Sequence, residues 1–129
     1  MSTNKKHQVE FLYGDLTYQI NGILMSAHKE LGPYAREKQF GNLLEQKFKE
    51  HGVSYKREVK IGDIGNIADF IIDDKIILEL KTKPFLTKED YDQVKRYLYQ
   101  TNFKLGILVN FRSLHIQPKR VLNISNLAG

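Results

Sequence analysis

A chain of 129 residues with 41% hydrophobic and 27% charged side chains is one domain, long enough to bury a core without covalent staples. It has no cysteine, which excludes disulfides and thiolate metal sites, and its histidines (His7, His28, His51, His115) are too scattered for a zinc site. No apolar run approaches the roughly 18 residues needed to cross a membrane, Met1–His7 has no apolar signal region, and the net charge of +5 suits a polyanionic partner without requiring one. A cytoplasmic protein with no membrane association is therefore expected.

Residues 1–14 are polar and then mixed, and read as an arm before a single domain over 15–129. Asp15 or Thr17 can cap a first helix whose apolar positions Leu16, Ile20, Ile23, Leu24, Ala27 and Leu31 form one stripe. Gly32-Pro33 ends it. A second helix is expected from about Ala35 to His51, with Phe40, Leu43, Leu44 and Phe48 inward and Gly52 as its stop. The period then changes to alternation over Tyr55, Arg57, Val59 and Ile61, the pattern of a strand, and Gly62 to Asn66 is turn chemistry.

Ile67–Ile72 and Ile76–Lys81 read as a hairpin of apolar strands interrupted by Asp69, Glu79 and Lys81. An inward charge in such a strand needs compensation. Side chains alternate faces, so Ile77, Glu79 and Lys81 share one face, and Leu78 and Leu80 the other. A three-residue turn at Asp73–Lys75 sets Ile72 opposite Ile76 and Asp69 opposite Glu79, with their Cβ atoms about 5 Å apart. A two-residue turn would point the carboxylates apart. Paired carboxylates suit a hard cation such as Mg²⁺ or Mn²⁺, and Lys81 could reach its water or a phosphate. The plainer alternative is a half-exposed strand with ordinary solvent-facing charges.

Beyond Pro84, Thr87 to Asp90 has the spacing of a capping box. The helix it opens runs to about Thr101, with Tyr91, Val94 and Leu98 inward. Lys104–Phe111 is apolar enough for a buried central strand. A short strand near Leu114–Gln117 and a tail from Pro118 follow. The order is α-α-β-β-β-α-β-β: an α/β domain with a mixed sheet and helices on both faces.

Gln93 and Tyr97, at i and i+4, share a face of the third helix near the end of the Glu79–Lys81 strand. The amide could orient Lys81 or bind a phosphate oxygen, and the ring could stack on a base; alternatively the two are a polar face with a half-buried tyrosine. Glu37, beside the apolar stripe of the second helix, either completes a metal site or is a first-turn glutamate favoured by the helix dipole. His28 reads as an additional candidate or as a packed histidine. Lys81, Lys83, Lys88, Lys95, Arg96 and Lys104 cluster in sequence around these positions.

From Leu16 to Arg120 the chain resembles the GxxExxY proteins, a compact branch of the PD-(D/E)XK nuclease superfamily. The matching segments are Leu16-Thr17-Tyr18, His28 to Pro33, Ala68-Asp69-Phe70, Glu79-Leu80-Lys81, Gln93 to Tyr97 and Leu105 to Phe111. One motif departs: Tyr34 and Phe40 stand at the Gly and Tyr positions of the name-giving pattern, and only Glu37 keeps it. The resemblance implies a restriction-endonuclease-like core and metal-dependent phosphodiester hydrolysis. It implies Asp69 and Glu79 as metal ligands with the Leu80 carbonyl, Glu37 as a ligand directly or through water, and Lys81 acting on the attacking water. Gln93 and Tyr97 would orient the lysine and the nucleic-acid strand, with Lys83 as a further nucleic-acid contact. DNA or RNA is the implied partner, and a homodimer or another protein partner is open. The rival reading is a non-catalytic nucleic-acid-binding or accessory module on the same fold.

Overall fold

The structure is a computed structural model and describes residues 12–123. Most of the expected arm, residues 1–11, lies outside the described residues; Leu12 and Tyr13 pack against the edge of the core. The elements run α1 (Gly14–Leu31), α2 (Glu37–Glu50), β1 (Tyr55–Ile61), β2 (Asn66–Ile72), β3 (Ile76–Lys81), α3 (Lys88–Thr101), β4 (Leu105–Asn110) and β5 (Lys119–Leu122). This is the expected order.

The five strands form one sheet in the order β1-β2-β3-β4-β5. β3 and β4 run parallel, joined through α3, and the other neighbours are antiparallel. α1 and α2 cover one face, where Ile20, Leu24, Phe40, Leu44 and Phe48 meet Phe70, Ile72, Leu78 and Ile107. α3 covers the other, where Val94, Tyr97 and Leu98 meet Ala68, Ile71, Ile77 and Leu108. β4 is buried along its whole length because helices lie over both of its faces. Gly106 lets α3 sit close: a Cβ there would stand 2.5 Å from Val94 Cγ1.

Three boundaries differ from expectation. Neither Asp15 nor Thr17 caps α1, which starts at Gly14; the Thr17 hydroxyl instead donates to the Gly14 carbonyl at 3.1 Å. Leu12 and Tyr13, packed on the core, bring the chain into the helix before either residue can cap it. α2 begins at Glu37 rather than Ala35, because the Gln39 side chain accepts the Arg36 N–H at 2.9 Å and fixes the first turn there. The last strand is Lys119–Leu122, not Leu114–Gln117. After Phe111, whose N–H still bonds to the Lys81 carbonyl, the chain must reverse before it can pair antiparallel with β4. Residues 111–115 make that reversal, and Pro118, which has no N–H, stands just before the ladder begins.

Candidate active site

The hairpin register sets the site. Ile72 pairs with Ile76, Ile71 with Ile77 and Phe70 with Leu78. Asp73 and Asp74 take left-handed conformations at φ 51° and 54°, and the Lys75 N–H closes the turn on the Ile72 carbonyl at 3.0 Å. The next pair in that register is Asp69 with Glu79, and there the ladder gives way to side-chain bonds. The Asp69 N–H donates to Glu79 Oε2 and the Leu80 N–H donates to Asp69 Oδ2, each at 2.8 Å. Each carboxyl thus takes the place of a strand carbonyl as acceptor, which fixes it between the diverging strands.

The break continues across β2. Pairing between β1 and β2 skips the Glu58–Asp69 position, and Glu58 has φ 53°, costly for a residue with a Cβ. The two strands change faces at this point: Phe70 and Ile72 belong to the core under α1 and α2, whereas Ala68 belongs to the core under α3. Asp69 sits where the sheet switches.

Glu79 is 2% exposed. Burial, then the hydrogen bond and negative charge of Asp69, push its pKa up to about 9. This favours the protonated form of Glu79 at neutral pH when no cation is bound. Glu37, itself exposed, lines the same groove as Asp69 and Leu80. Partial burial of its carboxyl and the charge of Asp69 raise its pKa, and Lys81 opposes them.

Lys81 projects on the α3 side. Its Nζ donates to Gln93 Oε1 at 2.9 Å and stands 3.9 Å from Asp90 Oδ1. Tyr97 is buried below, its pKa raised by burial and by Glu79, with a hydrogen bond from Gln93 working the other way. The structure thus gathers Asp69, Glu79, Leu80, Lys81, Gln93 and Tyr97, and sets Glu37 on the groove wall. Lys83 is turned aside: its Nζ bonds Asp90 Oδ2 at 2.8 Å, and its backbone N–H bonds the Asn110 side chain at 3.1 Å. His28 packs near Phe111 and its Nε2 lies 2.8 Å from the Ser113 carbonyl oxygen, a structural tie. At the departed motif, buried Phe40 stacks on Phe111 with ring centres 4.0 Å apart, so this position serves packing.

Sequence reasoning missed Asp90, Asn110 and Arg57. Asp90 is buried as a capping residue, accepting the Thr87 N–H at 2.7 Å, and the same carboxylate pairs with Lys83. Burial alone would raise its pKa, but the bonds from Lys83 and Thr87 hold it below the usual value. Two lysines shortly before an acidic helix start were the available signal. Asn110 clamps the loop after β3, accepting the Lys83 N–H and donating to the Lys83 carbonyl at 2.8 Å. Arg57 stood in the sequence as the charged member of the alternating set Tyr55, Arg57, Val59 and Ile61.

Among the described residues, no three acidic or imidazole side chains converge as a ready-made cage. The donor set still fits a hard ion. Asp69 and Glu79 each spend one oxygen on a backbone N–H, and the hydrogen bond between the two side chains would give way when an ion binds there. Mg²⁺ is commonly held by one or two carboxylates, with water and substrate phosphate completing its shell.

Among curated proteins none matches. Among solved structures the chain is similar to one described as "Crystal structure of SSO0001", at 24% identity, TM-score 0.49, covering 69% of this chain and 52% of that one. This chain spans about half the length of that structure. A model of the PD-(D/E)XK nuclease superfamily matches residues 14–121, a span that holds both strands of the hairpin, Lys81 and the α3 residues that meet it. The chain belongs to the PD-(D/E)XK nuclease superfamily.

Proposed function

We propose that the protein is a nuclease of the GxxExxY branch that hydrolyses phosphodiester bonds of DNA or RNA with Mg²⁺ or Mn²⁺. The observation that carries this is the reciprocal pair of carboxylate-to-backbone bonds at Asp69 and Glu79, with Lys81 held by Gln93 beside it. A bound divalent ion supplies Lewis-acid charge to the phosphoryl oxygens and eases deprotonation of the attacking water. Asp69 and Glu79 would hold that ion, helped by the backbone carbonyl of Leu80, which follows Glu79 in sequence. Glu37 faces the site from the groove wall and serves through water. Gln93 fixes the direction of the Lys81 ammonium, which either binds the scissile phosphate or takes the proton of the water. Tyr97 supports Gln93 from below. Lys83 is a phosphate contact once it leaves Asp90. We place the protein in the cytoplasm, which suits a chain without cysteine.

The rival reading, a nucleic-acid-binding module without chemistry, draws on the lack of a third convergent ligand among the described residues. Asp69→Ala and Lys81→Ala separate the two. In a nuclease both variants lose cleavage by at least about a hundredfold, the scale of removing one preorganised charge from a reacting centre. A pure binder shows no cleavage to lose, and Asp69→Ala leaves its hold on a polyanion equal or stronger.

A further inference from the structure

Arg57 is a charged residue near the site that the hydrolytic roles do not use. It lines the same groove of about 460 Å³ as Glu37, Lys38, Gly41 and Asp69. Its side chain is 19% exposed. Nη1 donates to Asn42 at 2.8 Å and to Glu45 at 3.2 Å, and Nε stands 3.7 Å from Glu58. Phe70 lies beneath, its ring centre 5.8 Å from the guanidinium carbon. Glu45 is itself tied by the Tyr55 hydroxyl at 2.9 Å, and this bond keeps its pKa low, so the anchor stays charged. None of these anchoring contacts is made by Nη2, which rests over Gly41, where an added Cβ would come within 2.5 Å of it. The guanidinium is thus fixed from one side, with one nitrogen uncommitted to its anchors, and the small residue at 41 makes the room.

We propose that Arg57 is a binding residue for the substrate backbone, contacting a phosphate next to the one that is cut. Three observations converge on this. The residue shares a groove with the candidate metal-binding aspartate. Its rotamer is fixed in advance, which lowers the entropic cost of gripping a phosphate. A planar guanidinium can offer two N–H groups to phosphate oxygens, and the groove already mixes cations with carboxylates, as a site for a metal-bridged polyanion must. This assignment rests on the nuclease reading. It adds that the nucleic-acid strand leaves the cut phosphate between α2 and the β1–β2 break, while Lys81 and Gln93 meet that phosphate from the α3 side of the seam.

The test is binding of a fluorescently labelled oligonucleotide to the full chain, measured by anisotropy in EDTA across a salt series. Arg57→Gln is expected to weaken binding about tenfold or more and to reduce the slope of log K against log salt by about 0.7 to 0.9. Arg57→Lys should keep the slope and recover only part of the affinity. Gly41→Ala separates binding from folding: a helical Gly→Ala change favours the helix, and the heavy atoms nearest its Cβ are Nη2, Cζ and Nε of the Arg57 guanidinium. It should melt no lower than the parent yet bind several-fold more weakly. An unchanged salt slope in Arg57→Gln with a lowered melting temperature overturns the proposal and leaves Arg57 as a tie between β1 and α2. Parental affinity in Gly41→Ala also overturns it. If the parent chain binds neither DNA nor RNA in this assay, the proposal is overturned, while the nuclease reading stands or falls separately by metal-dependent cleavage.

Discussion

The proton that Glu79 holds is the sharpest handle at the scale of single residues. Its folded-state pKa, about 9, lies above the ordinary 4.5, so between those values the folded protein binds a proton that the unfolded chain releases. The stabilisation from this group is complete below about pH 4.5 and is lost as pH rises through about 9. In EDTA, the melting temperature should therefore fall between about pH 5 and about pH 9, and Glu79→Gln should flatten that fall. Adding Mg²⁺ at the upper end should restore stability, since an ion bound only by the folded state stabilises it. A melting temperature that rises over this range, or ignores Mg²⁺ at about pH 9, would contradict the paired-carboxylate picture. A second expectation concerns Gln93: Gln93→Ala should reduce cleavage by roughly 10–100-fold, the scale of losing a group that orients a ligand, and less than Lys81→Ala does. Asp69, Glu79 and Lys81 were legible because charges interrupting an apolar run stand out against the cost of burying them. Arg57 and Asp90 were not, because each looked ordinary locally, as a strand residue or a cap, and its partners lie on another element.

Among the elements, the turn of the hairpin was readable to the residue. Counting a three-residue turn from Asp73 to Lys75 sets Ile72 on Ile76, and that pairing is present. The exchange of backbone bonds for carboxylate bonds at Asp69 and Glu79 was not readable, because it depends on how far β2 and β3 diverge under the helices above and below them. The misplaced last strand has a similar cause. Leu114 to Gln117 has strand-like composition, but the chain needs those residues to turn after β4, and pairing geometry overrode local preference. Two variants test the packing that holds these elements. Gly106→Ala drives a methyl into Val94 between β4 and α3 and should cost about 1–3 kcal/mol by urea denaturation. Asp90→Ala leaves the Thr87 N–H and the Lys83 ammonium without their shared acceptor, and should cost about 1–3 kcal/mol. Asp90→Ala should also lower cleavage, since Lys81 then keeps Gln93 alone as its partner.

For the whole molecule, two layers of helices grip a five-stranded sheet with an irregular seam at Glu58, Asp69 and Glu79, where the proposed chemistry would gather. No helix among the described residues is long and apolar enough to cross a membrane. The net charge of +5 suits a chain that meets a polyanion, so binding should weaken steeply with salt whatever the sequence of the nucleic acid. The central claim is that this seam is a metal-dependent phosphodiesterase centre. The most direct measurement is cleavage of end-labelled single- and double-stranded DNA and RNA with Mg²⁺ or Mn²⁺, alongside EDTA and Lys81→Ala. The account expects at least one substrate to be cut only with metal, and the cutting to disappear in Lys81→Ala. Intact substrates throughout, from a folded protein that binds Mg²⁺ by calorimetry, would contradict it.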